Sequence, residues 1–354
     1  FNNRLTGSFD YFVRFTEGMV GPSAELPATL GISTPSSNNS DLRTKGWEVS
    51  IGWKDRLKNG LGYGINLSLS DQITMIDSYP DNKTLSIDSY LPGYKDGLIW
   101  GYETIGIAKS DEEMQAHLAS LPKGGQDAVG SQWAAGDIMY KDLNGDGKIS
   151  EGARTLGDHG DLKILGDTYS HYFFGIDLNA DWKGFDFRAF FQGVLKHDYW
   201  GSGNFTGMLF GVRGGYSRWH TRGFKQHEDY FRAEPAGLEG HELPANLDSY
   251  YPRPIFSDSS DGTSFGAKNQ KVQSRYVQDA SYIRLKNLQF GYTLPAKFTN
   301  KFGINRLRIF VSGENVWTGT GLTKLFDPET ISGGNGGNAY PLSRTWSFGL
   351  SLTL

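Results

Sequence analysis

The most specific chemical signal in this sequence is a run of oxygen-bearing side chains between Asp142 and Ser150. Asp142, Asn144 and Asp146 occupy the first, third and fifth positions of the run, a glycine follows, and Ser150 stands at the ninth. In a tight loop alternate residues point inward, so this spacing directs oxygen atoms, with the Lys148 carbonyl at the seventh position, toward one hard cation. The run therefore predicts a Ca²⁺ site.

The predicted calcium loop lacks one ligand of the usual set. Its twelfth position, where calcium loops carry a bidentate acid, is Ala153. One of the nearby acids, Glu151, Asp158 or Asp161, would have to complete the shell. Such an ion would be structural, since no pairing of a base with a nucleophile accompanies it. The alternative is an ordinary turn rich in Asx residues and glycine that binds no ion.

Aromatic side chains are scattered through the segments between the strands predicted below. Aromatic rings stack on sugar faces or anchor a protein partner, and they also build the apolar cores that long ordered loops need. We expect packing for most of these rings. Contact with a substrate or partner is expected among the following: Trp100, Trp133, Trp200, Trp219, Tyr250 and Tyr251.

The motifs of common enzyme chemistry are missing from the sequence. It has no Gly-x-Ser-x-Gly elbow, no His-Glu-x-x-His helix, no phosphate-binding glycine loop and no cysteine. Two His-Glu pairs, at 227–228 and 241–242, are expected to be solvated loop residues. We therefore predict that the chain is not an enzyme, with no catalytic residue and no cofactor beyond the cation.

The elements that would position these groups are indicated by alternation of apolar and polar residues in eight segments. In one of them Tyr63, Ile65 and Leu67 alternate with glycine, asparagine and serine. Segments of about ten residues with this period suit tilted strands that cross a bilayer, with one face on hydrocarbon and the other on water. The eight segments are 5–15, 47–54, 61–70, 172–182, 185–195, 282–294, 307–317 and 345–354.

The sixth segment changes phase in its middle. Ile283 and Leu285 are apolar at odd positions, whereas Leu288 and the apolar residues after it are even. A β-bulge adds one residue to a strand and so reverses its facing. The pattern predicts a bulge near Lys286 and Asn287.

The links between the segments alternate between short and long. Outer-membrane barrels have short periplasmic turns and long external loops. A soluble β-sandwich would instead show turns at intervals of about 8–12 residues. Within the second long link, Ser110 and Glu113 form a capping box for a short helix. The short links are 56–60, 183–184 and 295–305, and the predicted external loops are about 20–42, 76–170, 196–276 and 318–343.

The composition fits a membrane barrel. Aromatic residues make up 14% of the chain while all hydrophobic residues reach only 38%, as expected when half of each strand faces water. No run of about 18 apolar residues exists, which excludes a transmembrane helix. The net charge of −4 is spread along the chain without a basic stripe, so nucleic acid is not expected as a partner.

Three stretches give the sequence a specific resemblance to a known family. In their order and spacing they resemble the C-terminal part of the barrel of the SusC/RagA-like TonB-linked outer-membrane proteins, over nearly the whole chain. One departure is Leu354, since outer-membrane barrels usually end in an aromatic residue. The stretches are GDIMYKDLNGDGKISEG at 136–152 with the strand pair YFFGIDLNADWKGFDFRAFFQGV at 172–194, ASYIRLKNLQFGYTLP at 280–295, and RLRIFVSGENVWT at 306–318.

The resemblance implies a fold and a function. The fold is an all-β, antiparallel transmembrane β-barrel of about 22 strands, of which this chain would be the C-terminal segment of some eight strands. The function is TonB-dependent import of nutrient oligomers, glycan ahead of peptide, across a Gram-negative outer membrane. The implied partners are a SusD-like surface lipoprotein, outer-membrane lipid, and TonB, contacted through an N-terminal part that also holds the plug and early strands.

Two other interpretations remain open at this point. A free-standing eight-stranded outer-membrane barrel, acting as an adhesin or an enzyme, predicts pairing between the first and last strands. A soluble surface glycan-binding β-protein predicts solubility without detergent, with the apolar rows inside a closed core.

Overall fold

A computed structural model describes residues 1–22, 36–201, 209–210, 224–255, 266–331 and 339–354. Its main element is one antiparallel sheet of eight long strands, which we call the wall sheet. Each of the eight predicted segments coincides with one of these strands, and none extends more than one residue beyond its strand. They are β1 (Leu5–Pro22), β2 (Ser36–Arg56), β3 (Gly62–Ser78), β4 (His171–Trp182), β5 (Phe185–Lys196), β6 (Tyr282–Thr293), β7 (Arg306–Thr320) and β8 (Thr345–Thr353).

The order of the strands in the wall sheet follows the order of the chain. Each strand pairs with the one before it and the one after it, and β1 and β8 form the two edges. Within the described residues β1 and β8 do not pair with each other. The closure that a free-standing eight-stranded barrel requires is therefore not made.

The predicted apolar residues form continuous rows across one face of the wall sheet. The register aligns Ile51, Leu67 and Ile176 on three successive strands. Phe191 and Leu285 continue this row on the next two strands. A continuous apolar face left open in this way suits hydrocarbon and argues against a soluble β-protein. Large apolar side chains exposed on this face include Phe9, Phe15, Ile65, Phe187, Ile309 and Phe348.

The opposite face of the wall sheet is polar and carries ion pairs between strands. Arg188 on β5 pairs with Asp177 on β4 at 2.6 Å. Arg308 on β7 reaches across β6 to Asp186 on β5 at 2.5 Å. The bridge passes over Gly291, where a Cβ would lie 2.6 Å from atoms of both charged groups. A side chain at this point of β6 would therefore have to displace the ion pair.

The predicted β-bulge is present in β6. Leu285 faces Phe191 and Asn287 faces Phe190 on β5, so Lys286 is the extra residue. The pairing of β6 with β7 shifts its register at the same point. The bulge restores the facing of the apolar residues, as the phase change predicted.

The connections alternate between short and long, as predicted. The turns at 57–61, 183–184 and 294–305 close one end of the sheet, and the last contains helix α2 (Ala296–Thr299). At the other end β1 runs to Pro22 and β2 starts at Ser36, so the first long link is shorter than the predicted 20–42. Strand pairing continues there beyond the alternating segments because backbone hydrogen bonds do not depend on the side-chain pattern.

The other long connections fold into one packed body. Residues 79–170, 197–281 and 321–331, as far as they are described, form this loop domain. Helix α1 (Asp111–Ala119) begins as predicted, since the Ser110 hydroxyl accepts the Glu113 N–H at 3.2 Å. No helix in the described ranges has the length and apolar character needed to cross a membrane. The strand pairs of the domain are Leu98–Tyr102 with Leu162–Asp167, Thr104–Ile107 with Ile138–Tyr140, and Asp198–Tyr199 with Gln278–Asp279.

Candidate functional site

The predicted calcium loop is a tight turn closed by its own backbone. The two oxygens of Asp142 accept N–H groups of two glycines of the loop at 2.6 and 2.9 Å. Asn144 Oδ1 accepts the N–H of Asp146 at 2.9 Å, and Asp146 Oδ1 accepts the N–H of Lys148 at 3.1 Å. These bonds are those of successive Asx turns, and they fix the segment that carries the candidate ligand oxygens.

Of the three acids expected to complete the shell, Asp161 is the one that bonds to the backbone within the run from Asp142 to Ser150. Its carboxylate is buried and accepts the N–H groups of Leu143 at 2.7 Å and Ser150 at 2.8 Å. Burial raises the pKa of the Asp161 carboxyl, and the nearby Asp142 carboxylate raises it further. Hydrogen bonds from three backbone N–H groups act in the opposite direction and lower this pKa. Asp161 thus lies on the buried side of the turn and links its beginning, at Leu143, to its end, at Ser150.

The other two acids have different partners. Glu151 pairs with Arg154 at 2.8 Å, and Asp158 accepts the N–H of Ala153 at 3.1 Å. In the part of the chain that the structure describes, no group of three or more His, Cys, Asp or Glu side chains is arranged to hold a metal ion. Ca²⁺ binding by this loop stays a prediction.

The six aromatic residues predicted to make contacts have different surroundings. Trp219 lies outside the described residues. Trp133 and Tyr251 are only 7% and 5% exposed and pack in the domain core, and Tyr251 also lines the cavity described below; a contact role stays a prediction for both. A contact role stays a prediction for the rings that are partly buried against the same core, namely Trp100, Trp200 and Tyr250.

Tyr250 also lines an open cavity of about 750 Å³ in the loop domain. Polar groups surround it: Gln278 donates to the Tyr250 hydroxyl at 3.1 Å, and Asn246 donates to Asp229 at 2.8 Å. The Arg232 guanidinium donates to backbone carbonyls. An aromatic ring among amides and charged groups is a common composition for a site that binds a polar oligomer.

A buried charge network that the sequence did not predict holds the loop domain together. The Asp137 carboxylate is fully buried and accepts five N–H bonds, from Ala134, Arg253, Lys268 and Asn269, between 2.7 and 3.0 Å. The Lys268 ammonium is also fully buried, and burial lowers its pKa while the Asp137 carboxylate opposes that change. A buried carboxylate with this many donors is stable only while all of them remain.

A second unpredicted cluster joins the wall sheet to the loop domain. His171, the first residue of β4, is buried with Nδ1 2.7 Å from Asp71 on β3 and Nε2 3.1 Å from Asp167. The cluster therefore fixes the position of β3 and β4 relative to the loop domain.

The last long loop is held to the polar face of the wall sheet by an arginine. Arg284 on β6 is buried and donates to both oxygens of Asp327 at 2.8 Å and to Glu329 at 2.7 Å. Lys286, the bulge residue, donates to the other Glu329 oxygen at 2.8 Å. The bulge therefore places two cations on one acidic loop.

Comparison with proteins of known sequence agrees with the predicted resemblance. The chain is 28% identical over 376 residues to TonB-dependent receptor P3 of Formosa agariphila, covering 99% of this chain and 32% of that protein. It is 24% identical over 387 residues to TonB-dependent receptor P26 of the same organism, covering 100% of this chain and 33% of that protein. The chain thus spans about a third of the length of these relatives. No family model matches it.

Solved structures identify the fold. The structure of the RagAB peptide transporter matches with a TM-score of 0.66 and 19% identity, over 99% of this chain and 34% of that one. The RagAB peptide importer in its open-open state matches with a TM-score of 0.65 and 19% identity, over 100% of this chain and 33% of that one. The chain is a portion of an outer-membrane β-barrel, and its resemblance to TonB-dependent receptors is confirmed.

Proposed function

We propose that this chain supplies barrel wall and external loops to a TonB-dependent importer of nutrient oligomers. The observation that carries the proposal is the continuous exposed apolar face of the wall sheet, with a polar face behind it and a packed loop domain at one end only. Such a wall separates lipid from an aqueous path, and its external loops are placed to select what enters. Similarity to TonB-dependent receptors along 99% of the chain supports the same conclusion.

A SusD-like surface lipoprotein is the partner we propose on the side of the loop domain. Two features support this: the buried network around Asp137 and the hydrogen bonds from Arg284 to the last long loop. Both hold the loops in one conformation, so that a partner would meet a surface that is already formed. Contact with TonB is proposed for another part of the protein, because the resemblance carries no TonB-contacting segment onto these residues. The proposed chemistry is transport without covalent change of the substrate.

Glycan is the substrate class that we place first, and peptide second. The cavity beside Tyr250 supports this order. Its aromatic ring can stack on a sugar face. Two of the charged groups in this cavity that would suit peptide ends, Asp229 and Arg232, are already engaged by neighbouring groups.

The test is uptake of fluorescent oligosaccharides and peptides by cells that express the whole receptor. We expect deletion of the gene to abolish uptake of oligosaccharides of one class. Tyr250→Ala should lower that uptake by about tenfold, the value of one stacked ring. Tyr250→Phe, which keeps the ring, is the matched control and should retain most of the uptake. Unchanged uptake on deletion would contradict import, and uptake of peptides alone would contradict the order of substrates.

A structural Ca²⁺ ion in the loop of Asp142 is a further part of the proposal. The oxygen spacing supports it, as does the burial of Asp161 close to Asp142, where a cation would offset the repulsion. The unfolding temperature of the loop domain should fall by several degrees in chelator, and the double variant Asp142→Asn with Asp161→Asn should lose this dependence. Asp248→Asn, at an exposed acid of the same domain, should keep it. The same unfolding temperature with and without chelator would contradict the ion.

A further inference from the structure

The short-turn end of the wall sheet carries four exposed lysines. Lys58 follows β2, Lys183 joins β4 to β5, and Lys297 and Lys301 lie between β6 and β7. The three turns, at 57–61, 183–184 and 294–305, contain no aspartate or glutamate. We call these four lysines the basic rim.

The acids closest to these turns are already neutralised. Each stands near a strand end and pairs with an arginine. In the described ranges, no carboxylate lies within ion-pair distance of a basic-rim ammonium group. The positive charge of the rim is therefore not balanced by the chain itself. The strand-end pairs are Asp55 with Arg4 at 3.3 Å, Asp181 with Arg56 at 2.8 Å, and Asp186 with Arg308 at 2.5 Å.

Exposed apolar side chains accompany the lysines. Phe298 and Phe302 are four residues apart in the third turn and are 53% and 80% exposed. The Lys297 ammonium lies 5.1 Å from the Phe298 ring centre, and that of Lys183 lies 4.6 Å from the ring of Trp182. Lysine beside an exposed aromatic ring is the composition found where a protein surface meets lipid headgroups.

The basic rim also adjoins the apolar face of the wall sheet. Trp182 and Phe185 end that face on two neighbouring strands, opposite each other in register and both exposed. In outer-membrane barrels the short turns lie on the periplasmic side. The rim therefore stands where the hydrocarbon-facing surface passes into the headgroups of the periplasmic leaflet.

We propose that the basic rim binds the headgroups of anionic phospholipids in the periplasmic leaflet, with Phe298 and Phe302 inserted among them. Three observations support this partner: unbalanced positive charge, exposed aromatic rings beside it, and continuity with the lipid-facing surface. A lysine near an anionic membrane surface raises affinity by roughly fivefold. The inference rests on the outer-membrane location and is independent of what the protein transports.

The experiment uses the whole receptor in nanodiscs of phosphatidylcholine with and without phosphatidylglycerol. Retained lipid is counted by native mass spectrometry after transfer to detergent. The test variant changes all four rim lysines to glutamine, and a second variant changes them to arginine. The matched control changes four exposed lysines of the loop domain to glutamine: Lys83, Lys109, Lys123 and Lys141.

We expect the wild type to retain phosphatidylglycerol in preference to phosphatidylcholine. The glutamine variant should reduce that preference by at least about tenfold, given the contribution of each lysine. The arginine variant and the loop-domain control should keep it. Equal preference in wild type and glutamine variant would overturn the proposal, and so would an equal loss in the control. Protection of the rim lysines from an amine-labelling reagent in lipid-free detergent would also overturn it, because another protein segment would then cover them.

Discussion

In the wall sheet, apolar side chains such as Ile51 and Leu67 stand on an open face and charged groups pair on the other. The loop domain instead has an interior of its own, in which the side chains of Tyr140, Tyr276 and even Lys268 are fully buried. The wall sheet needs only the right side chain on the right face, because lipid on one side and water on the other supply the surroundings. The loop domain has to supply its own surroundings, so each buried polar group needs a particular partner.

The largest effect should come from breaking the buried network of the loop domain. Lys268→Met removes the ammonium and leaves Asp137 buried without it, which should cost about 3–5 kcal/mol of unfolding free energy. Urea unfolding followed by tryptophan fluorescence would measure this, since Trp133 lies beside Lys268. Lys109→Met, which breaks the exposed pair with Asp248, is the control and should leave the free energy of unfolding nearly unchanged. Equal stability of the two variants would show that the network is not needed.

The next effect tests which face of the wall sheet meets lipid. Ile51 and Ser50 are neighbours at the same depth on β2, both exposed, and they point to opposite faces. Ile51→Arg should destabilise the folded receptor in lipid by about 2–4 kcal/mol, whereas Ser50→Arg should have little effect. Reversible unfolding in lipid vesicles gives both values. The reverse order of the two variants would mean that the faces have been assigned wrongly.

A smaller effect is expected at Arg284, which joins the wall sheet to Asp327 and Glu329 of the loop domain. In Arg284→Lys the shorter ammonium group cannot bond Asp327 and Glu329 at the same time. The free energy of unfolding should fall by about 1.5–3 kcal/mol, the range for hydrogen bonds to charged groups. The loss should appear as faster protease cleavage within 321–331. Cleavage of residues 79–170 should not change. Similar cleavage of both segments would point to general destabilisation.

The smallest effect is a pH dependence of helix α1. Burial lowers the pKa of His117, against a hydrogen bond with Gln126 that raises it. The unfolded chain therefore takes up the proton first, and stability should fall as the pH drops below the usual histidine value of 6.5. His117→Gln keeps a donor for Gln126 and should flatten this part of the profile. An identical profile in wild type and variant would exclude His117 as the cause.

The sequence was sufficient for the wall sheet because its rule is local. Alternation identified each strand, and the break in phase placed the bulge at Lys286. Only the strand ends were misjudged, since β1 and β2 pair beyond the alternating residues. There the side chains leave the membrane, and the facing rule no longer applies.

The candidate sites were less accessible to sequence reasoning. The calcium loop could be proposed because its ligands are two residues apart, whereas Lys268 and Asp137 are separated by 131 positions. Nothing around Lys268 in the sequence distinguishes it from a solvated lysine. Burial of Trp133 and Tyr251 likewise depends on segments far away in the chain. Pairings over such distances are selected by the folded surroundings and leave no local pattern.

The unequal lengths of the wall strands determine how far each end of the wall sheet stands out of the membrane. β2 has 21 residues and β8 has nine. At about 3.3 Å per residue and a tilt of some 40°, β2 rises roughly 50 Å, against an apolar band of about 25 Å. By the same measure β8 rises only about 23 Å, no more than that band. Strand backbone of the wall sheet therefore projects well beyond the membrane at β1–β3 and stops at its surface at β8.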